Sequence, residues 1–482
     1  TNGQYISSFG LDETGELYFS DYGTSSKLYK IIGGNNGPQT IAVNGVGDWY
    51  GMGEGTNGTV NAMTATSDDA IVVAGGFTAA GNMAPSNIAL YDPDLGWNEL
   101  ANGANGDIKS VAIDSEGNVF VGGDFTQIGG IPANNIALWS GSWSALGQGT
   151  NGPVSSIAIA PDNKVYVGGT FEMAGGTTVN NIALWSDGSW LPLTDATTGT
   201  AGTNNEVRAI SIDQSGHIYI GGNFDSAGGE SAPRIAVWDG TDWSTLGQGT
   251  SGFVQAIAIT QEHVYAGGNF AIAGNNTVNR IARWDRTSML WEAMGQGLSG
   301  NVNALAIDGD YLYAGGNFET ASDETDINMI VNNIARWSED KGWEALGNGT
   351  DVGVGNIVNS LTFDGTKSRL YVGGTFDSAG EDSANNIAIW SETLVLPPTN
   401  PEATELLYPN PFEHLINVEV INSTQDTINA VLYTISGILV SSKSYPIQND
   451  LVTLEFPILS SGLYYLKIQN EDTDKAYKVI KR

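Results

Sequence analysis

Carboxylates are the groups with which this sequence could do the most chemistry. Acidic side chains concentrate in residues 319–333 (ETASDETDINMIVNN) and residues 377–386 (DSAGEDSANN). Oxygen-rich loops of this kind suit a hard cation such as Ca²⁺. Neither segment has the D-x-D-x-D-G spacing of a dedicated calcium loop, so solvated surface charge is the favoured interpretation and Ca²⁺ is the one cofactor kept open. The residues of this candidate ligand or cation loop are Glu319, Asp323, Glu324, Asp326, Asp377, Glu381 and Asp382.

Other residue types that carry catalysis are scarce. The chain has no Cys and only three His, namely His217, His263 and His414. This excludes disulfides, thiolate nucleophiles and Cys-based zinc sites, and it leaves almost no material for His-based triads. His217 and His263 each precede an apolar run, HIYI and HVYA, so turn or packing roles are favoured over acid–base catalysis. No catalytic residue and no metal site is assigned.

Charge and length restrict the partners. The 482 residues include 53 acidic and 19 basic side chains, for a formal charge of −34. Nucleic acid and anionic lipid are poor partners for such a polyanion. Apolar residues make up 41% of the chain, enough for a sizeable core, and no apolar run reaches the roughly 18 residues of a membrane span. The sequence begins at Thr1 without a Met or a leader pattern, which suits a processed export product or a fragment.

An internal repeat occupies most of the chain. The string VFVGGDF at residues 119–125 recurs, with small changes, five times at intervals of about fifty residues, and a weaker copy ends at Phe77. Residues 6–22 align with the first half of the unit, which brings the number of copies to eight. Each copy holds four short β-like segments separated by Gly- and Asp-rich turns. The repeat therefore predicts an all-β, eight-bladed β-propeller over residues 1–390.

The repeat resembles the kelch type in three respects. Each unit has an apolar strand, a Gly-Gly doublet such as Gly122–Gly123, and later an aromatic pair such as Trp185/Trp190. A Phe two residues after the doublet departs from the kelch pattern, so kelch-specific partners are not implied. We interpret these Gly and Trp residues as structural, because Gly permits tight backbone packing and Trp fills the space between sheets. The long connections of a four-stranded meander share one face, which is the default binding surface.

The composition changes at residue 391. Residues 391–402 are Pro-rich and predict a linker, and residues 403–482 contain about seven short alternating segments that predict a small β-sandwich. The order of motifs in this tail resembles the type A C-terminal sorting domain of the type IX secretion system of Bacteroidetes. The resemblance rests on PNP at residues 409–411, a mid-domain Ser-Gly turn, a Gly-Leu-Tyr element and a basic end. It assigns the sorting signal to Pro409, Asn410, Pro411, Phe412, Gly437, Gly462, Tyr464, Lys478, Lys481 and Arg482.

The sorting domain implies a location and partners. Such domains pass through the periplasm and are recognised by an outer-membrane shuttle and the type IX translocon, so we expect a secreted or cell-surface cargo protein. For the propeller, the scarcity of His, Cys and clustered Arg favours a non-catalytic binding or adhesion module with a glycan, polymer or protein ligand. The alternative is an extracellular polysaccharide hydrolase or lyase that uses carboxylates on the long-loop face, because 53 acidic residues always supply close pairs.

Overall fold

The computed structural model describes residues 6–11, 17–21, 28–31, 40–42, 47–92, 96–100, 102–323, 326–348, 351–364, 369–395, 407–408, 415–419, 427–434, 439–447, 451–456, 462–469 and 474–481. These residues form strands and turns, and they contain no helix. No described segment is therefore a helix long and apolar enough to cross a membrane. Two compact units divide the described residues, one ending at Val395 and the other beginning at Leu407.

The first unit contains seven four-stranded antiparallel sheets, which are the blades of a propeller. Blades 1 to 3 comprise Thr59–Ala65, Ile71–Gly76, Ile88–Asp92 and Gly96–Glu99; Asp107–Ile113, Val119–Asp124, Ile136–Trp139 and Trp143–Ala145; and Val154–Ile159, Val165–Gly169, Ile182–Ser186 and Ser189–Pro192. Blades 4 to 6 comprise Val207–Ile212, Ile218–Gly222, Ile235–Trp238 and Trp243–Thr245; Val254–Ile259, His263–Gly268, Ile281–Asp285 and Leu290–Ala293; and Asn301–Asp308, Tyr311–Asn317, Ile334–Ser338 and Gly342–Ala345.

Blade 7 corrects the expected blade count. Its first three strands are Val358–Phe363, Leu370–Gly374 and Ile387–Ser391, and its fourth is Asp48–Gly51 from the other end of the ring. Its innermost strand packs against that of blade 1, where the Ser360 hydroxyl accepts a hydrogen bond from Met63 N at 3.0 Å. Ser110 and Ile157 make the same contact between blades 2 and 3, at 2.9 Å. The ring therefore closes at seven blades, and the expectation of eight is wrong.

The sequence carries the signal for this closure. Residues 47–58, GDWYGMGEGTNG, match residues 141–152, GSWSALGQGTNG, which are the fourth strand of blade 2 and the connection after it. The last copy of the repeat lacks exactly this fourth-strand Trp, and Trp49 supplies it. The rings of Trp49 and Trp390 lie 5.1 Å apart at an interplanar angle of 55°, as Trp185 and Trp190 do at 5.1 Å and 57°. A strand from before the first complete copy completes the last one.

The half-copy at residues 6–22, which the eight-blade prediction counts as a blade, is not part of the seven-bladed ring. Ile6–Leu11, Leu17–Asp21 and Leu28–Ile31 form a separate three-stranded antiparallel sheet. Thr40–Ala42 pairs with Thr393–Val395, directly after the third strand of blade 7. Residues 393–395 fall in the segment expected to be a linker, and here they form one strand of a separate two-stranded sheet.

Glycine doublets bring the blades into close contact, as expected. A Cβ atom added at Gly168 would lie 2.6 Å from Val207 Cγ1 of the next blade, and one added at Gly373 would lie 2.5 Å from Val60 Cγ1 across the seam. The second Gly of the doublet faces backbone instead, since a Cβ at Gly169 would lie 2.1 Å from Pro153 O. The doublet therefore sets the spacing both between blades and within each blade.

Aromatic residues fill the blades. The Phe that follows each doublet is at most 3% exposed in all seven copies, at Phe77, Phe125, Phe171, Phe224, Phe270, Phe318 and Phe376. In every blade except blade 2, whose Trp143 Nε1 has no hydrogen-bond partner among the described residues, the fourth-strand Trp also bonds to the preceding blade, as where Trp190 Nε1 donates to Leu146 O at 3.0 Å. Trp49 makes the same bond to Leu346 O at 3.1 Å, so the donated strand is held like the others.

The second unit holds two antiparallel sheets. One contains Leu407–Tyr408, Leu415–Glu419 and Leu451–Glu455, and the other contains Leu439–Pro446, Thr427–Thr434, Gly462–Gln469 and Asp474–Lys481 in that spatial order. Alternate residues of both sheets, such as Ile416, Leu454, Leu432 and Leu466, are fully buried in one apolar cluster. The two sheets thus share a core.

Candidate binding face of the propeller

The long connections of the propeller lie on one face, which we call the loop face. It carries the connections from the second to the third strand of each blade and from the fourth strand to the next blade. In blade 2 the first of these forms a small hairpin, Gln127–Ile128 with Ile131–Pro132, and Ile128 bridges to Ala104 in the connection that enters the blade. The opposite face, which we call the turn face, carries the short turns such as that around Asp213.

A polar cap holds the loop-face hairpins of blades 1 to 6, whereas Gly355 stands at the capping position of blade 7. The side-chain oxygen of Asn105 accepts hydrogen bonds from the backbone N–H groups of Thr126 and Gln127, both at 3.0 Å. The same pair of bonds recurs in other blades, and in blades 5 and 6 a Ser hydroxyl replaces the amide oxygen. The capping residues are Asn57, Asn105, Asn151, Asn204, Ser251 and Ser299. The Thr-Asn-Gly turn of the repeat therefore fixes the hairpin of its own blade.

A second asparagine links neighbouring blades. Asn135 has a positive φ of 65°, a conformation that Asn adopts more readily than most residues, and its Nδ2 donates to Thr150 O at 3.0 Å. Asn386 makes the equivalent bond to Thr56 O at 2.7 Å across the seam. The position has a positive φ in all seven blades, at Asn87, Asn135, Asn181, Arg234, Arg280, Asn333 and Asn386. In blades 4 and 5, where arginine occupies this position, backbone bonds such as Thr250 N to Pro233 O at 3.1 Å make the link instead, so that the connections of the loop face form one ring.

The loop face contains clefts between blades. One of about 550 Å³ lies between blades 2 and 3 and is lined by residues that include Asn134, Gln148, Asn151 and Met173. Apolar side chains at hairpin positions are exposed on the same face, with Met173 38%, Ile272 45% and Ile330 62% exposed. A fixed backbone thus presents both polar and apolar groups to solvent.

The acidic residues predicted as a ligand or cation loop lie in two blades. Glu319, Asp323 and Asp326 belong to the second-to-third connection of blade 6, and Asp377, Glu381 and Asp382 belong to that of blade 7. Asp323 is 7% exposed, and its carboxylate accepts a hydrogen bond from Asp326 N at 2.8 Å. Glu324 lies outside the described residues. No group of three or more acidic or His side chains in the described part of the chain is arranged to hold a metal ion, and Ca²⁺ binding stays a prediction.

The two propeller histidines lie on the turn face. His217 Nδ1 is 3.2 Å from Asp213 Oδ2, and Arg286 Nη2 donates to the same oxygen at 2.5 Å. Burial raises the pKa of Asp213, but hydrogen bonds from His217 and Ser215 outweigh it and leave that pKa below the ordinary value. His263 Nε2 is 3.7 Å from Asp285 Oδ2. Both histidines thus pair with carboxylates at the ends of strands.

Sequence reasoning missed a set of polar residues on the innermost strands. Each innermost strand contains a β-bulge near its loop-face end, as between Val154 and Ser156. The bulged residues are Asn61, Lys109, Ser155, Arg208, Gln255, Asn303 and Asn359. The available signal was the triplet at the start of each copy, VNA, IKS, VSS, VRA, VQA, VNA and VNS, in which a variable polar residue stands between two uniform positions.

Part of the predicted sorting signal lies in the second unit's larger sheet. Tyr464 is buried in its core, Gly462 begins a strand, and Lys478 and Lys481 lie in the last strand, where Lys481 is also buried. Pro409, Asn410, Pro411, Phe412, Gly437 and Arg482 lie outside the described residues. The sheet thus brings together the Gly-Leu-Tyr element and the basic strand, since Tyr464 pairs with Val479.

Comparison with solved structures gives many weak likenesses. A computationally designed protein, Ika8, is 15% identical at a TM-score of 0.41, covering 80% of this chain and 96% of its own. A chain of the mitotic checkpoint complex is 13% identical at 0.43, covering 74% and 95%, and a protein of unknown function from Bacteroides thetaiotaomicron is 10% identical at 0.35, covering 81% and 99%. At such TM-scores these likenesses support no conclusion about function. No curated protein matches the sequence significantly.

Two family models match parts of the chain. Residues 160–189, in blade 3, match a β-propeller domain of unknown function. Residues 406–482 match the secretion system C-terminal sorting domain. Both the β-propeller and the sorting-domain resemblance are thereby confirmed, whereas the kelch type of the repeat stays a prediction. Such a tail directs export to the cell surface or the extracellular space, and the chain is accordingly a cargo protein of the type IX secretion system that carries a β-propeller.

Proposed function

We propose that the propeller is a non-catalytic binding or adhesion module, which the sorting domain delivers to the outer cell surface or the medium. The observation that carries this proposal is the fixed loop face. Capping residues such as Asn105 and interblade bonds such as Asn135 to Thr150 hold the connections in one hydrogen-bonded ring. A surface fixed in this way loses little conformational entropy when it binds a ligand.

Variation between blades supports recognition on this face. One hairpin position has nearly the same surroundings in each blade, because its backbone carbonyl accepts a hydrogen bond from the N–H of the capping position. Its side chain nevertheless differs widely from blade to blade. The residues at this position are Ala79, Gln127, Met173, Ser226, Ile272, Thr320 and Ser378. Different side chains on one repeated backbone give a surface whose chemistry changes around the ring, as specific binding requires.

The sorting domain supplies the route in this proposal. Its partners are the outer-membrane shuttle and the translocon of a Bacteroidetes-like Gram-negative host, which it reaches through the periplasm. The exposed edges of its sheets offer unpaired backbone groups, and strand addition is one way in which a shuttle could bind them. Its Gly-Leu-Tyr element lies on the strand next to the basic edge strand, so one partner could contact both.

A fusion experiment tests the route. A fluorescent passenger joined to residues 391–482 should reach the outside of a type IX-competent bacterium, and the same fusion without residues 478–482 should stay in the periplasm. The control is the full protein expressed in a strain that lacks the translocon. Equal secretion of a protein that ends at Ser391 would show that the tail is not the signal.

A binding assay tests the module. The purified full chain is applied to arrays of polysaccharides, to protein-coated surfaces and to whole cells, while soluble sugar products are measured in parallel. We expect retention on at least one surface without product release. Product release from a polysaccharide would instead support the hydrolase or lyase alternative, and retention on none of the surfaces would contradict the binding role.

A further inference from the structure

We propose that the seven bulged residues of the innermost strands form a binding ring for a neutral sugar at the loop-face end of the central channel. This inference rests on the proposed binding function and assigns a place and a ligand class to it. The ring consists of Asn61, Lys109, Ser155, Arg208, Gln255, Asn303 and Asn359.

The bulges place these side chains around the propeller axis. Each bulge interrupts the pairing of the innermost strand one residue after a buried Val or Ile, directly behind the connection that enters the blade. A bulge re-aims the side chain of its extra residue. All seven re-aimed side chains are polar, and none of them is buried. Seven equivalent polar groups that remain accessible at one level of the ring are a surface, not a core.

Hydrogen bonds connect these side chains from blade to blade. Asn303 Nδ2 donates to Val358 O at 3.0 Å, and Asn359 Nδ2 donates to Val60 O at 3.2 Å across the seam. Arg208 Nη1 donates to Gln255 Oε1 at 2.5 Å. The side chains of Asn61, Arg208, Asn303 and Asn359 therefore reach toward the innermost strand of the next blade, so this part of the ring follows the wall of the channel.

These bonds leave different groups available in different blades. In Asn61, Asn303 and Asn359 one N–H of the Nδ2 group donates to a backbone carbonyl, so the second N–H and Oδ1 have no partner among the described residues in blades 1, 6 and 7. In blades 2 and 5 the Lys109 ammonium and the Gln255 Nε2 group have no hydrogen-bond partner among the described residues. Blades 6, 7 and 1 thus offer both acceptors and donors, and blades 2 and 5, which adjoin them on either side, offer donors.

Charged side chains of both signs lie at or beside the bulges. Arg208 Nε donates to Glu206 Oε2 at 2.7 Å, and its guanidinium lies 4.6 Å from the centre of the Phe253 ring. Lys109 has Asp107 two residues before it in the same strand. Two positive and two negative side chains therefore lie on or next to the bulges of blades 2 and 4. An anionic ligand would meet Asp107 and Glu206, and a cationic ligand would meet Lys109 and Arg208.

A neutral sugar fits this arrangement best. Each sugar hydroxyl both donates and accepts hydrogen bonds, so one sugar residue satisfies free acceptors and free donors together. The planar amide and guanidinium groups of the ring can also hydrogen-bond to the sugar, and these bonds do not require the ligand to carry a net charge. The bulged positions differ from blade to blade, as NKSRQNN around the ring, which gives the site a unique orientation despite the sevenfold backbone.

Paired variants of the full-length protein test the site. The probes are the methyl glycosides of glucose, galactose, mannose and N-acetylglucosamine, with methyl glucuronoside and glucosamine as the anionic and cationic arms. Binding is detected by saturation-transfer NMR, and dissociation constants are measured by calorimetry. We expect a neutral glycoside to bind and Lys109→Ala and Gln255→Ala each to raise its dissociation constant about fivefold or more. The matched controls Lys164→Ala and Gln261→Ala, on the turn face, should bind as the unmodified protein does.

The outcomes separate this inference from the proposed function. Unchanged affinity in both ring variants, or tighter binding of the glucuronoside or of glucosamine, would overturn the neutral-sugar ring. Retention of the protein on protein-coated surfaces without binding of any glycoside would also overturn it, while leaving the binding function intact. If the protein binds none of the surfaces and none of the probes, the binding function itself is contradicted. Thermal melts check folding, and Lys109→Ala should not shift the melting temperature.

Discussion

At the residue scale, the propeller depends on one asparagine position whose backbone and side chain both matter. Asn333 has a φ of 70°, and its Nδ2 donates to Val354 O at 2.9 Å. Arg280 occupies the same position in blade 5 with a φ of 75°. An arginine has no short amide to reach the neighbouring carbonyl, and it adopts a positive φ less readily than Asn. Blade 5 therefore contains a position that the repeat itself shows how to improve.

Arg280→Asn should stabilise the propeller. The change relieves the backbone strain and places an amide beside the carbonyl oxygen of Leu298. The N–H of Leu298 already donates to Asn279 O. We expect a gain of about 0.5–1 kcal/mol in the free energy of unfolding. Denaturant unfolding measures it, with Arg280→Ala as the control that removes the guanidinium without supplying the amide. A loss of stability in Arg280→Asn would show that the arginine makes a compensating contribution.

Asp213 should make stability depend on pH. Its pKa in the folded protein lies below the ordinary value, because hydrogen bonds outweigh the effect of burial. The ionised Asp213 therefore makes its full contribution to stability above the ordinary pKa, and this contribution is lost as the pH falls through the folded-state pKa. Asp213→Asn should cost about 2 kcal/mol near neutral pH, since Arg286 loses its charged partner. The difference in melting temperature from the unmodified protein should shrink in strong acid. Asp162→Asn, at an exposed pair with Lys164, is the control and should change little.

At the element scale, the two glycines of each doublet allow close approach to different neighbours. The first faces a Val side chain of the next blade, and the second faces the backbone of its own innermost strand. Blade 1 has Ala74 at the first position and Gly75 at the second, with Ala74 fully buried. The repeat thus tolerates a methyl group against a side chain that can shift, but keeps glycine against backbone that cannot.

Substitution of each glycine in blade 3 separates these roles. Gly168→Ala should cost about 1–2 kcal/mol, because Val207 can move, whereas Gly169→Ala should cost about 4 kcal/mol or more, because the new Cβ would lie 2.1 Å from Pro153 O. Denaturant unfolding of the two variants gives the comparison. Equal costs would mean that the backbone at the bulge yields as easily as the Val side chain.

The sequence predicts these elements unevenly. The doublets, the aromatic pairs and the four short segments of each copy follow from residue types and spacing, and the sorting domain follows from its motif order. The bonds between blades do not follow from the sequence, because Val60 O, which accepts the bond from Asn359, lies beside that residue only when blade 7 meets blade 1. The acidic loops stay a prediction as a ligand or cation site, and in the described part of the chain no three acidic or His side chains are arranged to hold a metal ion.

At the scale of the whole molecule, the ring closes with a strand from each end of the propeller. Counting first and second strands predicts eight blades, because residues 6–22 resemble a half-copy. Counting fourth-strand Trp residues gives the other answer, since Trp49 precedes the first complete copy and the last copy has none of its own. Closure is a long-range property, and the two partners Trp49 and Trp390 are separated by more than three hundred residues.

Truncation at the beginning of the chain tests this closure. A protein that starts at residue 47 keeps Asp48–Gly51 and with it the whole of blade 7. Its free energy of unfolding should therefore be close to that of the full-length protein, lower only by the contribution of the pairing between Thr40–Ala42 and Thr393–Val395. A protein that starts at Met52 loses Trp49, which is 1% exposed, and uncovers Trp390. It should lose at least the 3–5 kcal/mol or so expected for Trp49→Ala alone. Thermal and denaturant unfolding of both proteins and of Trp49→Ala gives the comparison. An eight-bladed ring would require residues 6–22, so collapse of the protein that starts at residue 47 would contradict the seven-bladed closure.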